Sequence, residues 1–174
     1  MKKKLTAAPA PPIEAFRLPR YRDLTNVGLY LEQTVRLLNS YLAPLGEGEL
    51  TASMVSNYVK QKLLPRPEKK LYYANHLAAL AFIGTAKTVA ALDDIRLLLE
   101  VRQERYDLAE AYDYFCAVFE EALAEVFGLP AAGGETPRGD GSDADKLLRR
   151  LVRTAADKVY LDHRLRDFRE QAAK

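Results

Sequence analysis

A set of small polar and basic side chains is spaced so that its members share one side of a short helix. Apolar residues at positions 54, 55, 58 and 59 place Ser53, Ser56, Asn57 and Lys60 on the opposite side, at one to two turns' spacing. Asparagine can pair with the edge of an adenine, serine can bond a phosphate or a base, and lysine neutralises phosphate charge. This face therefore predicts contact with the major groove of double-stranded DNA.

Basic side chains continue into the segment that follows this helix. The predicted DNA-binding set is completed by the following residues: Lys62, Arg66, Lys69, Lys70 and Tyr72. Asn57 is the strongest candidate for reading a base. A packing in which Asn57 turns inward and bonds the preceding helix would move that role to Ser53 and Ser56. A solvated helix face beside a basic turn is the alternative interpretation of the whole pattern.

The net charge of +2 conceals an unequal distribution along the chain. Residues 1–90 contain 13 Lys and Arg against 6 Asp and Glu, a net charge of +7. Residues 91–174 contain 13 against 18, a net charge of −5. A basic half suits a polyanion such as nucleic acid, whereas an acidic half suits solubility or a protein partner.

Length and composition narrow the class of protein. The 174 residues, 48% hydrophobic and 29% charged, are typical of one soluble globular domain or a small domain with an attached element. The single cysteine, Cys116, excludes an intrachain disulfide and favours the reducing cytoplasm as its location. No apolar run approaches the roughly 20 residues that span a bilayer, so no membrane partner is expected.

No group of side chains predicts catalysis. Cys116 lies on an apolar helix and is expected to be a buried, inert thiol. His76 begins a helix and His163 lies among charged residues, which favours exposed or capping roles. Glycine-rich phosphate-binding motifs and the HExxH metal motif are absent from the sequence. The chain is therefore not expected to be an enzyme, and no catalytic residue, metal or cofactor is predicted.

Hydrophobic periodicity predicts an all-α chain. Helices are expected in six segments: residues 30–45, 51–64, 75–85, 92–100, 104–127 and 142–172. Thr51 is placed to cap the second helix, and Ser142 with Asp145 resembles a capping box at the start of the last. Residues 68–73 are polar and then aromatic, which predicts a tight hairpin-like loop, or wing.

The same segment carries a resemblance to a known family. Residues 51–67, TASMVSNYVKQKLLPRP, resemble the recognition helix and wing entry of MerR-type regulators, and residues 92–98, LDDIRLL, are similar to a later helix of that family. Residues 18–21, LPRY, and 29–33, LYLEQ, together with the 51–67 segment, resemble more closely the bacterial YkrK-type family, regarded as MerR-like regulators. Ser56 stands where MerR proteins usually have a phosphate-contacting arginine, and Lys62 where they have glycine.

The resemblance covers residues 18–100 and implies a MerR-like winged helix-turn-helix domain followed by a helical extension. The expected organisation has five parts: a disordered tail at 1–17, the DNA-binding domain at 18–100, a long core or dimerisation helix at 101–129, a flexible linker at 130–141, and a dimerisation or regulatory helix at 142–174.

These expectations combine into a function. The chain is predicted to be a cytoplasmic, sequence-specific transcriptional regulator, with no effector indicated. It is expected to form a homodimer through residues after 100, because the faces of the last two helices offer more apolar surface than one small domain covers. A monomeric helical bundle is the alternative state, and an interaction adaptor that keeps the fold without binding DNA is the alternative function.

Overall fold

Helices account for most of the ordered backbone, as the hydrophobic periodicity predicts. A computed structural model describes residues 12–46, 48–130 and 137–173, and in these ranges the only β-structure is isolated bridges. The six α-helices are α1 (Leu31–Leu42), α2 (Ala52–Lys60), α3 (Ala74–Ala86), α4 (Leu92–Gln103), α5 (Leu108–Phe127) and α6 (Asp143–Ala172). Short 3-10 helices occur at Ile13–Ala15, Tyr21–Asp23 and Ala43–Leu45. No described helix combines the length and the apolarity needed to cross a bilayer.

Helix α3 is the centre of the molecule. Every residue from His76 to Ala86 is buried, and helices α1, α5 and α6 pack around it. Small residues allow these neighbours to approach closely. A Cβ added to Gly84 would lie 2.8 Å from Leu42 Cδ1 of α1. A helix that is apolar on all sides belongs inside a core, so α3 is the scaffold on which the other elements are positioned.

The apolar faces of α5 and α6 cover each other within one chain. Phe119 of α5 and Val152 and Val159 of α6 are almost completely buried in the same cluster that contains α3. The boundary expected at residue 100 therefore does not separate two cores. Of the two roles expected for the long helix at 101–129, core or dimerisation, the structure shows the core role for the apolar face of α5, because α6 folds back along it.

Residues 12–17 correct the last part of the prediction of a disordered tail at 1–17. Residues 1–11 lie outside the described residues, but Ile13 and Phe16 are buried, and Phe16 packs edge-on against Phe119 with ring centroids 5.8 Å apart. The buried Glu120 carboxylate accepts the Leu18 backbone N–H at 2.9 Å and the Arg20 guanidinium at 2.8 Å. Apolar burial and this ion pair hold the segment against α5.

The flexible linker is expected at residues 130–141, and hydrogen bonds and an ion pair hold the last part of this range. Residues 131–136 lie outside the described residues, whereas residues 137–141 make specific contacts. Arg149 donates to the Pro137 carbonyl at 3.1 Å, and Arg105 pairs with Asp140 at 3.1 Å. Ser142 accepts the Asp145 N–H at 3.2 Å, which confirms the predicted cap at the start of α6.

The far end of α6 contacts the turn that leads toward α2. His163 Nε2 bonds the Leu45 carbonyl at 3.1 Å, and Arg166 donates to the Gly46 carbonyl at 3.3 Å. Gly46 has a φ of 71°, and an added Cβ there would lie 2.6 Å from the Arg166 guanidinium. Side chains of α6 thus fix the turn that follows α1 by bonding its backbone carbonyls.

Candidate nucleic-acid interface

Helix α2 exposes the polar face that the sequence predicts. Val55 and Tyr58 are buried in the core, whereas Ser53, Asn57 and Lys60 are exposed, and Ser56 is half-buried. The Asn57 side chain is paired only within its own helix, where its Oδ1 accepts from Gln61 Nε2 at 3.4 Å. The inward-turned arrangement of Asn57 is therefore not the one adopted, and its amide faces solvent.

The start of α2 is fixed by two polar side chains. Thr51 Oγ1 accepts the Met54 N–H at 3.2 Å, which confirms the predicted cap. Asn39 of α1 makes a second, paired contact: its Nδ2 donates to the Leu50 carbonyl at 2.8 Å and its Oδ1 accepts the Leu50 N–H at 2.9 Å. Leu50 is buried, so this pair satisfies two backbone groups that water cannot reach. It also sets the position of α2 relative to α1.

The end of α2 is a Schellman motif. The Leu63 N–H donates to the Tyr58 carbonyl at 2.9 Å, and the Lys62 N–H donates to the Val59 carbonyl at 3.1 Å. Lys62 has a φ of 59°, the left-handed conformation that glycine usually supplies at this position. Arg96 of α4 adds an external contact by donating to the Gln61 carbonyl at 2.8 Å. The helix end is therefore fixed from two sides.

The segment from residue 61 to residue 73, named here the basic loop, contains a very small hairpin. Glu68 and Leu71 exchange two backbone hydrogen bonds of 3.0 and 2.8 Å. Lys69 and Lys70 form the two-residue turn between them, with φ values of 48° and 68°. Positive φ at both central positions is typical of a type I′ turn, in which Asn-Gly is the preferred pair. Both lysines are exposed at the tip.

The base of the basic loop is pinned to the segment before α1. Tyr72 and Leu29 exchange backbone hydrogen bonds of 2.8 and 2.9 Å. Gly28 permits this approach, because an added Cβ would lie 2.9 Å from both Leu71 Cβ and the Tyr73 ring. His76 of α3 supports the same region: its Nδ1 accepts the Tyr73 N–H at 3.0 Å and its Nε2 lies 3.3 Å from the Arg66 carbonyl.

Tyr72 differs from the other residues of the predicted set. It is only 4% exposed and packs edge-on against His76, with ring centroids 5.3 Å apart. Its side chain is a support beneath the basic loop and is not available to a ligand on the surface. The other loop members of the set, Lys62, Arg66, Lys69 and Lys70, are all exposed.

Backbone strain is concentrated on cations. Among the described residues, the non-glycine positions with positive φ are Lys62, Lys69 and Lys70, all in the basic loop. The left-handed conformation costs an ordinary residue roughly 1–2 kcal/mol relative to the right-handed one. Strained backbone of this kind is found preferentially at functional sites. The loop therefore keeps three positive charges at positions where glycine or asparagine fits the backbone better.

Sequence reasoning missed the residues that position this surface. Asn39 and Arg96 act on backbone groups 11 and 35 residues away, and neither lies in a recognisable motif. His76 was expected at a helix start, and the capping role is the one observed, although the ring is buried rather than exposed. Within the described ranges, no cluster of three His, Cys, Asp or Glu side chains is arranged to hold a metal ion.

Comparison with known families places this region in a defined group. Residues 19–115, more than half of the chain, match the family described as a domain of unknown function, DUF1836. The chain belongs to the DUF1836 family. The DUF1836 match includes α1, α2, the basic loop, α3 and α4, and it ends within α5. Comparison with curated proteins and with solved structures gave no match.

Proposed function

We propose that this protein is a sequence-specific DNA-binding transcriptional regulator that acts as a homodimer. Its reading head is a winged helix-turn-helix of MerR type, in which α1 and α2 are the two helices and the basic loop is the wing. Ser53, Ser56 and Asn57 face base edges in the major groove. Lys60, Lys62, Arg66 and the two tip lysines face phosphates.

One observation carries this proposal: the three strained lysines of the basic loop. A solvated loop with no ligand gains nothing from lysine at positions of positive φ, where glycine removes the strain. A loop that follows a phosphate backbone gains a favourable contact from each cation. We infer that lysine is kept at positions 62, 69 and 70 for its charge, although positive φ strains the backbone there.

Two further features agree with a reading head. The sequence resemblance of residues 18–100 to MerR-type and YkrK-type regulators overlaps the matched DUF1836 region over residues 19–100. The charge of +7 on residues 1–90 favours association with a polyanion and repels basic partners. Ser56, where MerR proteins usually have arginine, leaves phosphate contact to Lys60 and Lys62 on the next turn.

The decisive experiment selects DNA from random and genomic fragments with the full-length protein at a fixed, stated salt concentration. Enrichment of one sequence is expected, with a two-fold related pair of half-sites. Binding to the selected site is then measured across a salt series for the native chain and for the double variant Lys69→Asn with Lys70→Asn. Asparagine tolerates positive φ, so this variant removes the charge and keeps the turn.

The double variant is expected to weaken binding to all sequences similarly and to lower the salt slope by up to about two, since each lost phosphate contact contributes roughly 0.9. The matched control is Lys146→Gln with Arg150→Gln, which removes two exposed charges from α6 and is expected to leave the slope unchanged. An unchanged slope in the loop variant removes the basic loop from the interface. Failure to enrich any sequence contradicts the regulator.

The homodimer is proposed to form through the second half of α6. Leu161, Leu165 and Phe168 are 53%, 41% and 71% exposed and follow one another at helical spacing. They lie on the side of α6 opposite His163 and Arg166, which contact the turn after α1. Paired recognition helices are the usual way in which a reading head of this size gains affinity and specificity.

The charge pattern beside this stripe suits a second copy of the same chain. Residues 160–172 contain three arginines and three acidic residues, so two such helices carry no net charge and do not repel each other.

Leu165→Glu with Phe168→Glu is expected to convert a dimer to a monomer in sedimentation velocity. Leu147→Glu, at an equally exposed leucine near the start of α6, is the control and is expected to remain a dimer. A native chain that sediments as a monomer at micromolar concentration contradicts the proposal.

An interaction adaptor is the second candidate function. The uncovered stripe of Leu161, Leu165 and Phe168 is the observation that favours it, because an amphipathic helix face also suits the groove of a different protein. The two candidates differ in the DNA selection. The adaptor predicts no enriched sequence and no difference between the native chain and the tip-lysine variant.

A further inference from the structure

A cavity lies between α3, α4, α5 and the start of α6, on the other side of α4 from its contact with α2. Its volume is about 240 Å³. Part of its wall is formed by apolar side chains: Ala78, Phe82, Leu98, Leu99, Phe115 and Leu148. Phe82 and Phe115 meet edge-on, with ring centroids 5.1 Å apart. A cavity of about 150 Å³ is sufficient for benzene, so this one has room for a single ring with a short substituent.

One polar atom of the cavity wall, Nε of Arg102, is buried without a hydrogen-bond partner among the described residues, although the Arg102 side chain as a whole is half-buried. Buried polar atoms in proteins are almost always paired, so each exception requires an explanation. Burial also lowers the pKa of the Arg102 guanidinium, because removal from water disfavours its charged form.

The acidic residues near Arg102 are committed to other partners. Asp140 pairs with Arg105 at 3.1 Å and accepts the Ser142 N–H at 2.8 Å. Asp145 pairs with Arg149 at 3.4 Å and accepts the hydroxyl of Tyr114. Glu110 also lines the cavity, but it is exposed. The guanidinium of Arg102 therefore has no carboxylate partner among the described residues, although exposed charged side chains also line the cavity: Arg105, Glu110 and Arg138.

We propose that this cavity binds a small aromatic carboxylate with a single ring. The carboxylate pairs with the guanidinium of Arg102, and the ring lies among Phe82, Leu99 and Phe115. Arginine presents parallel N–H donors that match the two oxygens of a carboxylate, and the interaction strengthens where water is excluded. This binding site is separate from the α2 and basic-loop surface, so it stands or falls independently of DNA binding.

The proposal is tested by calorimetric titration of the full-length protein, without DNA, using benzoate and benzamide as probes. Benzamide has the same ring and nearly the same shape but no charge, so it separates the apolar contribution from the ionic one. Benzoate is expected to bind in a one-to-one ratio, at least about tenfold more tightly than benzamide. Equal affinity for the two probes, or no saturation by benzoate at about 10 mM, overturns the proposal.

Variants of two arginines localise the binding. Arg102→Met keeps an unbranched side chain of similar length and removes the charge, so benzoate is expected to bind at least about tenfold more weakly while benzamide binding is unchanged. Arg150→Met, at an exposed arginine outside the cavity, is the control and is expected to bind both probes normally. Arg102→Met is also expected to unfold at no lower temperature than the native chain, since it removes a half-buried cation that pairs with no described carboxylate. Unchanged benzoate binding by the folded Arg102→Met variant overturns the proposal.

Discussion

The surface made by α2 and the basic loop differs from the cavity beneath α4 in where its polar groups stand. On the surface, polar side chains are exposed, and capping hydrogen bonds hold the backbone at both ends of α2. In the cavity wall the reverse holds, because apolar side chains lie beside the buried Nε of Arg102, which has no partner among the described residues. A charged exterior suits a long polyanion, whereas a partly apolar cavity with one unpaired donor suits a small molecule.

Helix α4 contacts both regions. Arg96 reaches from it to the end of α2, and Arg102, six residues later, lines the cavity. Six residues of α-helix span about 9 Å, so the two contacts are separated by less than two turns. The two regions therefore differ because α2 packs near Arg96, whereas α3, α5 and the start of α6 surround the part of α4 that contains Arg102. The four predictions below concern the surface made by α2 and the basic loop. None of their variants is expected to alter the cavity.

The largest effect is expected from Asn39→Ala. The substitution leaves the buried Leu50 N–H and carbonyl without partners, and each such group costs about 1–3 kcal/mol. Chemical denaturation is expected to give a free energy of unfolding lower by about 2–4 kcal/mol. Asn57→Ala, an exposed asparagine on the next helix, is the control and is expected to change stability by less than about 0.5 kcal/mol. Similar losses for both variants contradict the role assigned to Asn39.

The next effect is expected from Gly28→Ala. The added Cβ lies within 2.9 Å of Leu71 Cβ and of the Tyr73 ring, and neither of these can move without shifting the base of the basic loop. Overpacking of this kind costs about 1–3 kcal/mol and is expected to speed amide hydrogen exchange at Leu29 and Tyr72. Gly48→Ala is the matched control, because a Cβ there has no neighbour within 4 Å. Unchanged exchange in Gly28→Ala contradicts the pinning of the loop base.

The sequence predicts the surface much better than the rest of the molecule. The cap at Thr51, the apolar stripe of α2 and its polar face are local patterns, and all three are found in the structure. Composition predicts a hairpin-like loop at residues 68–73, and the structure has a small hairpin at residues 68–71. The sequence indicates the positive charge of the two lysines at its tip. It does not indicate their positive φ, because a Lys-Lys pair is not typical of a type I′ turn.

The cavity and the N-terminal segment have no local pattern. The cavity wall comes from four helices, so no window of sequence contains it. Ile13 and Phe16 are isolated apolar residues near several prolines, without the periodicity that identifies a helix. Their burial depends on the surface of α5 about 100 residues later, as does the pairing of Arg20 with Glu120. Tertiary contacts of this range decide both features.

A further prediction separates base reading from phosphate contact on the surface. Asn57→Ala is expected to weaken binding to the selected DNA site by about 1–3 kcal/mol and to leave binding to random DNA unchanged. Lys60→Ala, one turn later on the same face, is expected to weaken both equally, because a phosphate contact carries no sequence information. Fluorescence anisotropy with the two DNA duplexes measures both effects. Equal loss on the two duplexes for Asn57→Ala contradicts base reading by this residue.

The smallest effect is expected from Lys62→Gly, and its sign is opposite to that of the first two. Relief of the left-handed backbone strain contributes roughly 1–2 kcal/mol, and the greater freedom of glycine in the unfolded chain removes about 0.5–1 kcal/mol of that gain. The free energy of unfolding is therefore expected to rise by roughly 0.5–1 kcal/mol. Lys60→Gly is the matched control: it also removes one lysine, but from a right-handed helical position, and is expected to lower stability by up to about 1 kcal/mol.

Both variants are expected to reduce the salt slope of DNA binding by about one. Opposite changes in stability with the same change in slope would mean that Lys62 is kept for its charge and not for its backbone. A loss of stability in Lys62→Gly would contradict the strain on which that conclusion depends.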